Sequence, residues 1–292
     1  MTREGSLEAP KRNPIDWRNP DFYSEGPLLN ELGRVFDICH GCRRCVNLCN
    51  ALPRLFDLID KGTTGELDGV EKSKYWEVVD QCYLCDMCFM TKCPYVPPHP
   101  WNVDFPHVML RAKAVKYQKG KFTFRDKLLS STDAVGKLAS IPVVVQMVNA
   151  INKAPATRKV MQNVLGIHKE RHLPEYQSAT FRKTAVCNQG FAVKDGANTP
   201  GKVAIFSTCY VNYNEPGIGH DLLKILEHNE IPAMIVEKES CCGMPKLELG
   251  ALEAVAKLKD ANIPQLVKLA RQGCAILTAV PSCTLMFKQE LP

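Results

Sequence analysis

The sequence predicts an α+β multidomain fold, with helices carrying the chain before residue 201 and a short parallel sheet after it. Three observations predict this. Apolar residues recur at helical spacing around two cysteine-rich runs, and residues 106–173 are mostly helical in pattern. After residue 201, short apolar strands alternate with helical stretches. At 292 residues and 45% hydrophobic content, the chain can bury a core in one or two globular domains.

The N-terminal part of the chain changes character at Leu28. Residues 1–27 contain four prolines and little apolar periodicity, which predicts an extended arm. From Leu28 to Ile38 apolar residues fall at helical spacing and lead into Cys39, and the same period returns from Val46 to Ile59. The sequence therefore predicts a helix, a cysteine loop and a second helix.

Eight cysteines between residues 39 and 93 are grouped in two runs of similar spacing. The runs read Cys39-His-Gly-Cys42-Arg-Arg-Cys45-Val-Asn-Leu-Cys49 and Cys82-Tyr-Leu-Cys85-Asp-Met-Cys88-Phe-Met-Thr-Lys-Cys93-Pro94. Three cysteines at a spacing of three can supply three corners of a [4Fe-4S] cube, so the fourth thiolate must come from elsewhere. In proteins with two such clusters, the last cysteine of each run completes the cluster of the other run.

The spacing therefore predicts two [4Fe-4S] clusters with crossed ligation. Cluster 1 is assigned to Cys39, Cys42, Cys45 and Cys93, and cluster 2 to Cys82, Cys85, Cys88 and Cys49. A structural zinc site is the alternative, although such a site would not require the third cysteine that each run carries at the same spacing. Disulfides are disfavoured because the N-terminus has no apolar signal-peptide core. Asn50 in place of proline and the four residues between Cys88 and Cys93 depart from the usual run.

The stretch Cys39 to Pro94 resembles the alpha-helical ferredoxin domain of succinate dehydrogenase and fumarate reductase iron–sulfur subunits. The 32 residues between the two runs leave room for helices, which a minimal ferredoxin lacks. The resemblance implies an alpha-helical ferredoxin domain over residues 28–105.

Residues 106–200 are predicted to form a helical region followed by a linker at 187–201. Seven basic residues and one acid lie between Arg111 and Lys127, which predicts either a solvated helix face or a docking face for an acidic partner or anionic lipid. Ile141 to Ile151 is apolar but too short to span a bilayer, so we expect a core or subunit-contact helix. Nothing in the charge pattern indicates nucleic-acid binding.

The last part of the chain, residues 201–292, alternates between strands and helices. Strands are predicted at Lys202–Ser207, Ala233–Val236 and Ala275–Val280, with a helix at Gly219–Asn229 and a helical stretch at Leu247–Gln272 that breaks at Pro264. Cysteines follow each strand, and ligands collect beyond the carboxyl ends of parallel strands. We therefore expect a four-thiolate site made of Cys209, Cys241, Cys242 and Cys283.

This second cysteine pattern resembles the CCG module of heterodisulfide reductase subunits, the C subunit of anaerobic glycerol-3-phosphate dehydrogenase and the iron–sulfur subunit of glycolate oxidase. The resemblance rests on Cys209, the Cys241-Cys242-Gly243 triplet and Pro281-Ser-Cys283. It implies a third iron–sulfur cluster at the CCG site. Met286 stands where such modules usually carry another cysteine, and the module is expected to be incomplete at its C-terminus.

Other readings of the remaining groups stay open. Cys241 and Cys242 could instead be a buried apolar pair. Cys187 and Cys274 have no partners at ligand spacing and are interpreted as ordinary thiols, and the seven histidines form no metal-ligand spacing.

The leading functional hypothesis is an electron-transfer subunit of a flavoprotein dehydrogenase complex. The sequence has no Gly-x-Gly-x-x-Gly fingerprint, so flavin and hydroxy-acid chemistry are placed on a partner chain. Electrons would pass through the clusters to the CCG site and on to quinone, with the protein cytoplasmic and peripheral on the inner face of the cytoplasmic membrane. The alternatives are a catalytic subunit that reduces a disulfide or persulfide at the CCG cluster and a non-enzymatic redox sensor.

Overall fold

The computed structural model describes residues 9–194 and 201–291, which fold as two compact units. Unit 1 contains the residues up to Phe122 together with Lys246–Leu252, and unit 2 contains Thr123–Pro245 and Glu253–Leu291. Helices dominate and one small parallel sheet is present, which confirms the predicted α+β fold class. The four-domain division predicted from the sequence stays a prediction. Residues 1–8 of the arm and 195–200 of the linker lie outside the described part.

Unit 1 is built from four main helices. They are α1 Glu25–Cys42, α2 Ala51–Asp60, α3 Tyr75–Asp80 and α4 Phe105–Gln118, with 3-10 turns at Pro20–Tyr23, Leu67–Gly69 and Lys72–Lys74. Helix α1 begins three residues before the predicted start at Leu28. It also continues through the first two cysteines, so Cys39 and Cys42 lie on its last turns rather than in a loop.

The core of unit 1 forms around Phe36 of α1. This side chain is fully buried, and its ring lies 5.0 Å from that of Tyr75 in α3 and 6.1 Å from that of Phe105 in α4. Leu28, Leu32 and Val35 are also fully buried, at the helical spacing that the sequence predicted. Helices α3 and α4 are thereby packed against the half of α1 that carries the first cysteines.

Three of the seven basic residues between Arg111 and Lys127 are paired within unit 1. Arg111 donates hydrogen bonds to the carbonyl oxygens of Phe22 (2.7 Å) and Asp21 (3.0 Å). Lys116 pairs with Asp80 at 2.6 Å, and Lys119 pairs with Glu25. These pairs neutralise part of the predicted positive face, so a docking surface for anionic lipid gains no support from this helix.

Unit 2 contains short helices and the sheet. Its helices are α5 Phe124–Leu129, α6 Thr132–Ala139, α7 Val144–Lys153, α8 Pro155–Leu165, α9 Phe181–Thr184, α10 Cys209–Tyr213, α11 Pro216–His228 and α14 Pro281–Leu285. Helix α12 Met244–Glu248 ends inside the segment Lys246–Leu252, which is counted with unit 1. Helix α13 Leu252–Arg271 begins at the last residue of that segment. The strands are β1 Val203–Phe206, β2 Ala233–Ile235 and β3 Ala275–Thr278.

The three strands are parallel in the order β2-β1-β3, with Val203 opposite both Ala233 and Ala275. All four residues of β1 are buried, as expected of a central parallel strand. Phe181 of α9 and Leu223 of α11 pack on this strand in the unit 2 core. The three strands predicted from the sequence are confirmed, each with ends that differ by no more than two residues.

One prediction about a helix is wrong, and another keeps only one of its two alternatives. The stretch Leu247–Gln272 does not break at Pro264, which lies inside the unbroken helix α13. The break comes at residues 249–251, where Gly250 has a φ of +80° that ends α12. The apolar stretch from Ile141 is not a core helix, since α7 buries only Val145 and leaves Met147 59% exposed. The alternative, a subunit-contact helix, stays a prediction.

In the described part of the chain, no individual helix has the length and apolar character to cross a membrane. Helices α6 and α7 would meet those criteria only when taken together, and they meet at an angle of 110°.

Gly250 provides a test of packing within unit 1. A Cβ atom placed there would lie 2.4 Å from the backbone of Lys113, and its left-handed φ adds strain. Gly65 has a similar φ of +70° but open space around it. We expect Gly65→Ala to cost about 1 kcal/mol and Gly250→Ala at least about 2 kcal/mol more, because only the second change also forces backbone apart. Anaerobic thermal unfolding measures both, and equal losses would contradict the close packing.

Candidate iron–sulfur sites

The first cysteine run is shaped by the end of α1. Arg43 takes a left-handed conformation (φ 49°), and its N–H donates to the carbonyl oxygen of Cys39 at 2.8 Å. The chain then turns twice, with N–H groups of Val46 and Leu48 donating to carbonyls three residues earlier. These turns carry Cys45 and Cys49 away from the helix axis and towards the second run.

The second run has an irregular backbone that accommodates its unusual spacing. Leu84 and Asp86 have φ values of 51° and 59°, which place left-handed residues on both sides of Cys85. Cys88–Lys92 forms a single π-helical turn in which the N–H of Cys93 donates to the carbonyl oxygen of Cys88 at 2.9 Å. A π turn contains one more residue than an α turn. It therefore absorbs the extra residue between Cys88 and Cys93.

The structure brings the cysteines proposed for cluster 1 together. Burial raises the pKa of the Cys39 thiol, and negative charge on its neighbours Cys93, Cys45 and Cys42 raises that pKa further. A cavity at this place is lined by cysteines of both runs and by apolar side chains such as Leu52 and Phe105. The trailing cysteine of the second run thus lies beside the first run.

The cysteines proposed for cluster 2 also come from both runs. Burial raises the pKa of Cys82 to about 11, and among the charges that act on it are those of Cys49 and Cys85. Burial likewise raises the pKa of Cys88, with Cys82 and Cys49 among its charged neighbours. Cys45 and Cys39 also act on Cys88, so the two groups of thiols adjoin at this residue.

Positive charges and N–H groups offset part of the rise in thiol pKa that burial and neighbouring sulfurs cause. The backbone N–H groups of Tyr95 and Val96 donate to Cys93, and the charge of Arg44 further lowers the pKa of that thiol. The N–H of Leu84 and the ammonium of Lys113 act in the same direction on Cys82. Burial outweighs these groups and leaves both pKa values raised. The thiolate forms would therefore need a further source of positive charge.

The CCG cysteines lie at the carboxyl ends of the three strands. Cys209 begins α10 after β1, Cys241 and Cys242 follow β2, and Cys283 lies in α14 after β3. Their thiols form a hydrogen-bonded series, from Cys209 through Cys241 and Cys242 to Cys283. Hydrogen bonds from Cys209 and Cys242 lower the pKa of Cys241, while those with Cys241 raise the pKa values of the other two.

Three residues that the sequence did not single out support the CCG loop. Thr132 Oγ1 donates to Cys241 Sγ at 3.3 Å, and Asp133 accepts from the Cys241 N–H at 2.5 Å. Asn262 of α13 is fully buried, and its amide bonds the backbone of Ser240 and the carbonyl oxygen of Cys241. No local pattern marks these residues, since they reach the loop from distant helices.

A polar cavity of about 480 Å³ lies beside Cys209 in unit 2. Its lining includes Asp133, Lys137 and Tyr213. Glu239, whose side chain is 9% exposed, also lines it and accepts a hydrogen bond from the N–H of Ser207 at 2.9 Å. Burial raises the pKa of this carboxyl group. The cavity gives one edge of the CCG site a polar surface.

Met286 and the remaining cysteines take no part in this group of thiols. Met286 is fully buried, and its methyl group would lie 3.4 Å from a Cβ placed on Gly243. Cys274 is buried just before β3, and Cys187 is half-buried against the unit 2 core. These placements agree with the interpretation of Cys187 and Cys274 as ordinary thiols.

The donor set fits iron–sulfur chemistry better than a site for one metal ion. Within the described ranges, no three His, Cys, Asp or Glu side chains converge as they would around a single ion. Each thiolate of a cubane binds a different iron atom, and the grouped cysteines present only sulfur. The residues present therefore fit the groups that the sequence predicted, while the number and type of clusters stay predictions.

Comparison with known proteins defines the class. Residues 203–288 match the CCG family, described as a cysteine-rich domain. The chain contains a CCG cysteine-rich domain, and it is similar to iron–sulfur proteins of oxidoreductase complexes, among them the C subunits of anaerobic glycerol-3-phosphate dehydrogenases.

Individual relatives show how far this similarity extends. The chain is 30% identical over 196 residues to the C subunit of the anaerobic glycerol-3-phosphate dehydrogenase of Escherichia coli (strain K12), which covers 66% of this chain and 47% of the relative. It is 27% identical over 123 residues to the B subunit of the fumarate reductase (CoM/CoB) of Methanothermobacter marburgensis, covering 42% of this chain and 24% of the relative.

A more distant relative extends the similarity along the chain. An uncharacterized iron-sulfur protein of Methanocaldococcus jannaschii is 22% identical over 247 residues, covering 79% of this chain and 40% of the relative. The chain thus spans less than half the length of each of these three curated relatives. No solved structure matches the chain.

Asn262 tests the support of the CCG loop. Replacement by Leu would leave the Ser240 N–H and two carbonyl oxygens without their buried partner, at about 1 to 3 kcal/mol for each unsatisfied group. We expect Asn262→Leu to lower the unfolding midpoint and to reduce iron bound at the CCG site. Asn229→Leu is the control, because Asn229 makes a similar bond to the carbonyl of Ile225 on the surface. Equal behaviour of the two variants would contradict the assigned role.

Proposed function

We propose that the chain is an iron–sulfur electron-transfer subunit of a flavoprotein dehydrogenase complex. The complex would resemble glycerol-3-phosphate, glycolate or lactate dehydrogenases, with electrons passing from flavin towards quinone. The observation that carries the proposal is the grouping of Cys93 with the first run and of Cys49 with the second. Two adjoining clusters with exchanged ligands suit a chain that moves electrons one at a time.

The residues of unit 1 would hold and insulate the two clusters. When bound, [4Fe-4S] clusters accept and release single electrons at potentials set by hydrogen bonds, charge and burial. The N–H groups that donate to Cys93 and Cys82 supply the hydrogen bonds. Leu52, Phe56 and Phe89 line the site and would exclude water.

The CCG site would hold a third iron–sulfur group. Three of its four cysteines are nearly excluded from solvent, with Cys241, Cys242 and Cys283 exposed by 6%, 3% and 3%. Thr132 and the N–H of Gly243 donate to Cys241, so this sulfur is prepared to carry negative charge. Substrate oxidation belongs to a partner chain, since the sequence has no nucleotide fingerprint.

A partner surface is available in unit 2. Several large apolar side chains of α5 to α8 and their connections are exposed, among them Phe124 (75%), Leu138 (62%) and Val143 (73%). Exposed apolar groups at this density are typical of surfaces that contact another protein or a membrane. A membrane-peripheral or subunit-bound location is therefore part of the proposal.

A second candidate function is supported by the polar cavity beside Cys209. A small disulfide or persulfide could reach the CCG site through it, as a heterodisulfide reductase-type catalytic subunit would require. The cysteine count argues against this second function, because only four cysteines lie at the site and Met286 stands at the position of a fifth.

Serine substitutions test the crossed ligation. We expect Cys49→Ser to remove the electron paramagnetic resonance signal of cluster 2 and Cys93→Ser to remove that of cluster 1, because each run closes the other cluster. Each variant would lose up to about four irons, and the unchanged chain would hold about twelve if all three sites fill. Cys187→Ser is the control and should lose none. Loss of cluster 1 in the Cys49 variant would refute the assignment.

Purification of the native complex under anaerobic conditions separates the two functions. We expect a flavin-containing partner to copurify and to reduce the clusters when its substrate is added. Thiol–disulfide turnover by the isolated chain would support the second candidate instead. A chain that copurifies with no flavoprotein and has no turnover would contradict both.

A further inference from the structure

The guanidinium group of Arg12 lies between two carboxylates of unit 1. It donates to Asp86 through both Nη atoms, with 3.1 Å between Nη2 and Oδ1. It also donates to Asp104 through Nε at 3.0 Å and Nη2 at 3.1 Å. Its Cζ atom lies 4.3 Å from the ring centroid of Phe89, within the distance for a cation–π contact.

These contacts are shielded from water. The side chain of Arg12 is 8% exposed and that of Asp86 is 1% exposed. A carboxylate that is buried and ionised requires a paired cation, and removal of one partner from such a pair is strongly destabilising. Arginine suits this place because its planar fork can bond two carboxylates at once.

Asp86 lies between Cys85 and Cys88, in the part of the second run where the backbone is strained. Leu84 and Asp86 both have left-handed φ values that residues other than glycine rarely adopt. Such conformations persist when surrounding contacts enforce them. Arg12 contacts Asp86 and the ring of Phe89, which lie before and after Cys88. Cys88 is where the π turn begins.

Arg12 also joins segments that are far apart in the sequence. Asp104 caps α4 by accepting from the N–H of His107 at 3.1 Å, and the neighbouring Lys11 N–H donates to the Pro97 carbonyl at 3.0 Å. The N-terminal segment is therefore anchored within the second run at Asp86 and after it at Pro97 and Asp104. This arrangement links the arm, the cysteine run and the start of α4 through one side chain.

We propose that Arg12 is a positioning residue for the second cysteine run, because its paired bonds to Asp86 and Asp104 hold the backbone from Cys85 to Cys88 in the conformation that presents these thiols. The part that concerns cluster 2 rests on the proposed function. Arg12 would also neutralise the Asp86 carboxylate beside an anionic cluster, which raises the reduction potential of that cluster relative to a chain without it.

Arg12→Met tests the proposal with the full-length chain, since methionine retains bulk and lacks the charge and the fork. In chelator-treated protein, alkylation of each cysteine is followed by mass spectrometry. We expect Cys88 to react at least about tenfold faster than in the unchanged chain, through local opening of the run. Half-buried Cys39 in the first run is the internal reference and should keep its rate.

Arg54→Met is the matched control, because Arg54 also pairs with a carboxylate, Glu77, but on a half-exposed surface. It should leave both alkylation rates unchanged. Arg12→Lys keeps the charge without the fork and should give an intermediate rate at Cys88. Adding Asp86→Asn to Arg12→Met should restore part of the protection, because asparagine tolerates the left-handed backbone and carries no charge.

The iron-loaded chain gives a second readout. Arg12→Met should shift the electron paramagnetic resonance signal and lower the midpoint potential of cluster 2 while those of cluster 1 stay constant. An unchanged Cys88 rate in Arg12→Met, or equal acceleration at Cys39 and Cys88, would overturn the proposal. If the unchanged chain binds no iron, the proposed function fails, while the alkylation comparison still decides the role of Arg12.

Discussion

Crowding of thiols in a small buried volume is the constraint on which the rest of unit 1 depends. Burial raises the pKa values of Cys39, Cys82 and Cys88, and negative charge on neighbouring sulfurs adds to this effect. The few N–H groups and cations nearby offset only part of it. These pKa shifts disfavour the thiolate form of each cysteine, and a bound iron–sulfide cluster would supply the cationic centre that favours it.

Two kinds of support surround the sulfur groups. In unit 1 the support comes from the local backbone: α1 carries the first cysteines on its last turns, and a π turn spaces Cys88 and Cys93. In unit 2 the support comes from the topology, because parallel strands place the loops after them at one edge of the sheet. Cysteines are thus grouped by backbone shape in one unit and by strand direction in the other.

Basic residues of unit 1 have different roles, which depend on the groups that they pair with. Arg111, Lys116 and Lys119 fall in a basic stretch but bind backbone carbonyls and acids of their own unit. Arg12 lies in a proline-rich segment with little periodicity, yet it is one of the least exposed charges in unit 1. The exposed apolar side chains of α5 to α8 are the stronger indication of a partner surface.

The cysteine spacing by itself determined the candidate ligands, and apolar periodicity determined the fold class and the three strands, because short motifs and periodicity are local properties of the chain. Neither could reveal Thr132, Asp133 and Asn262 beside the CCG loop, since these residues reach it through helix packing. The unbroken helix at Pro264 and the exposure of α7 likewise depend on tertiary packing. Tertiary packing can override the helix propensity of individual residues. Only the folded structure shows that Arg12 pairs with Asp86, 74 positions away in the sequence. The pairing of buried charges depends on their distance in space, which the sequence does not give.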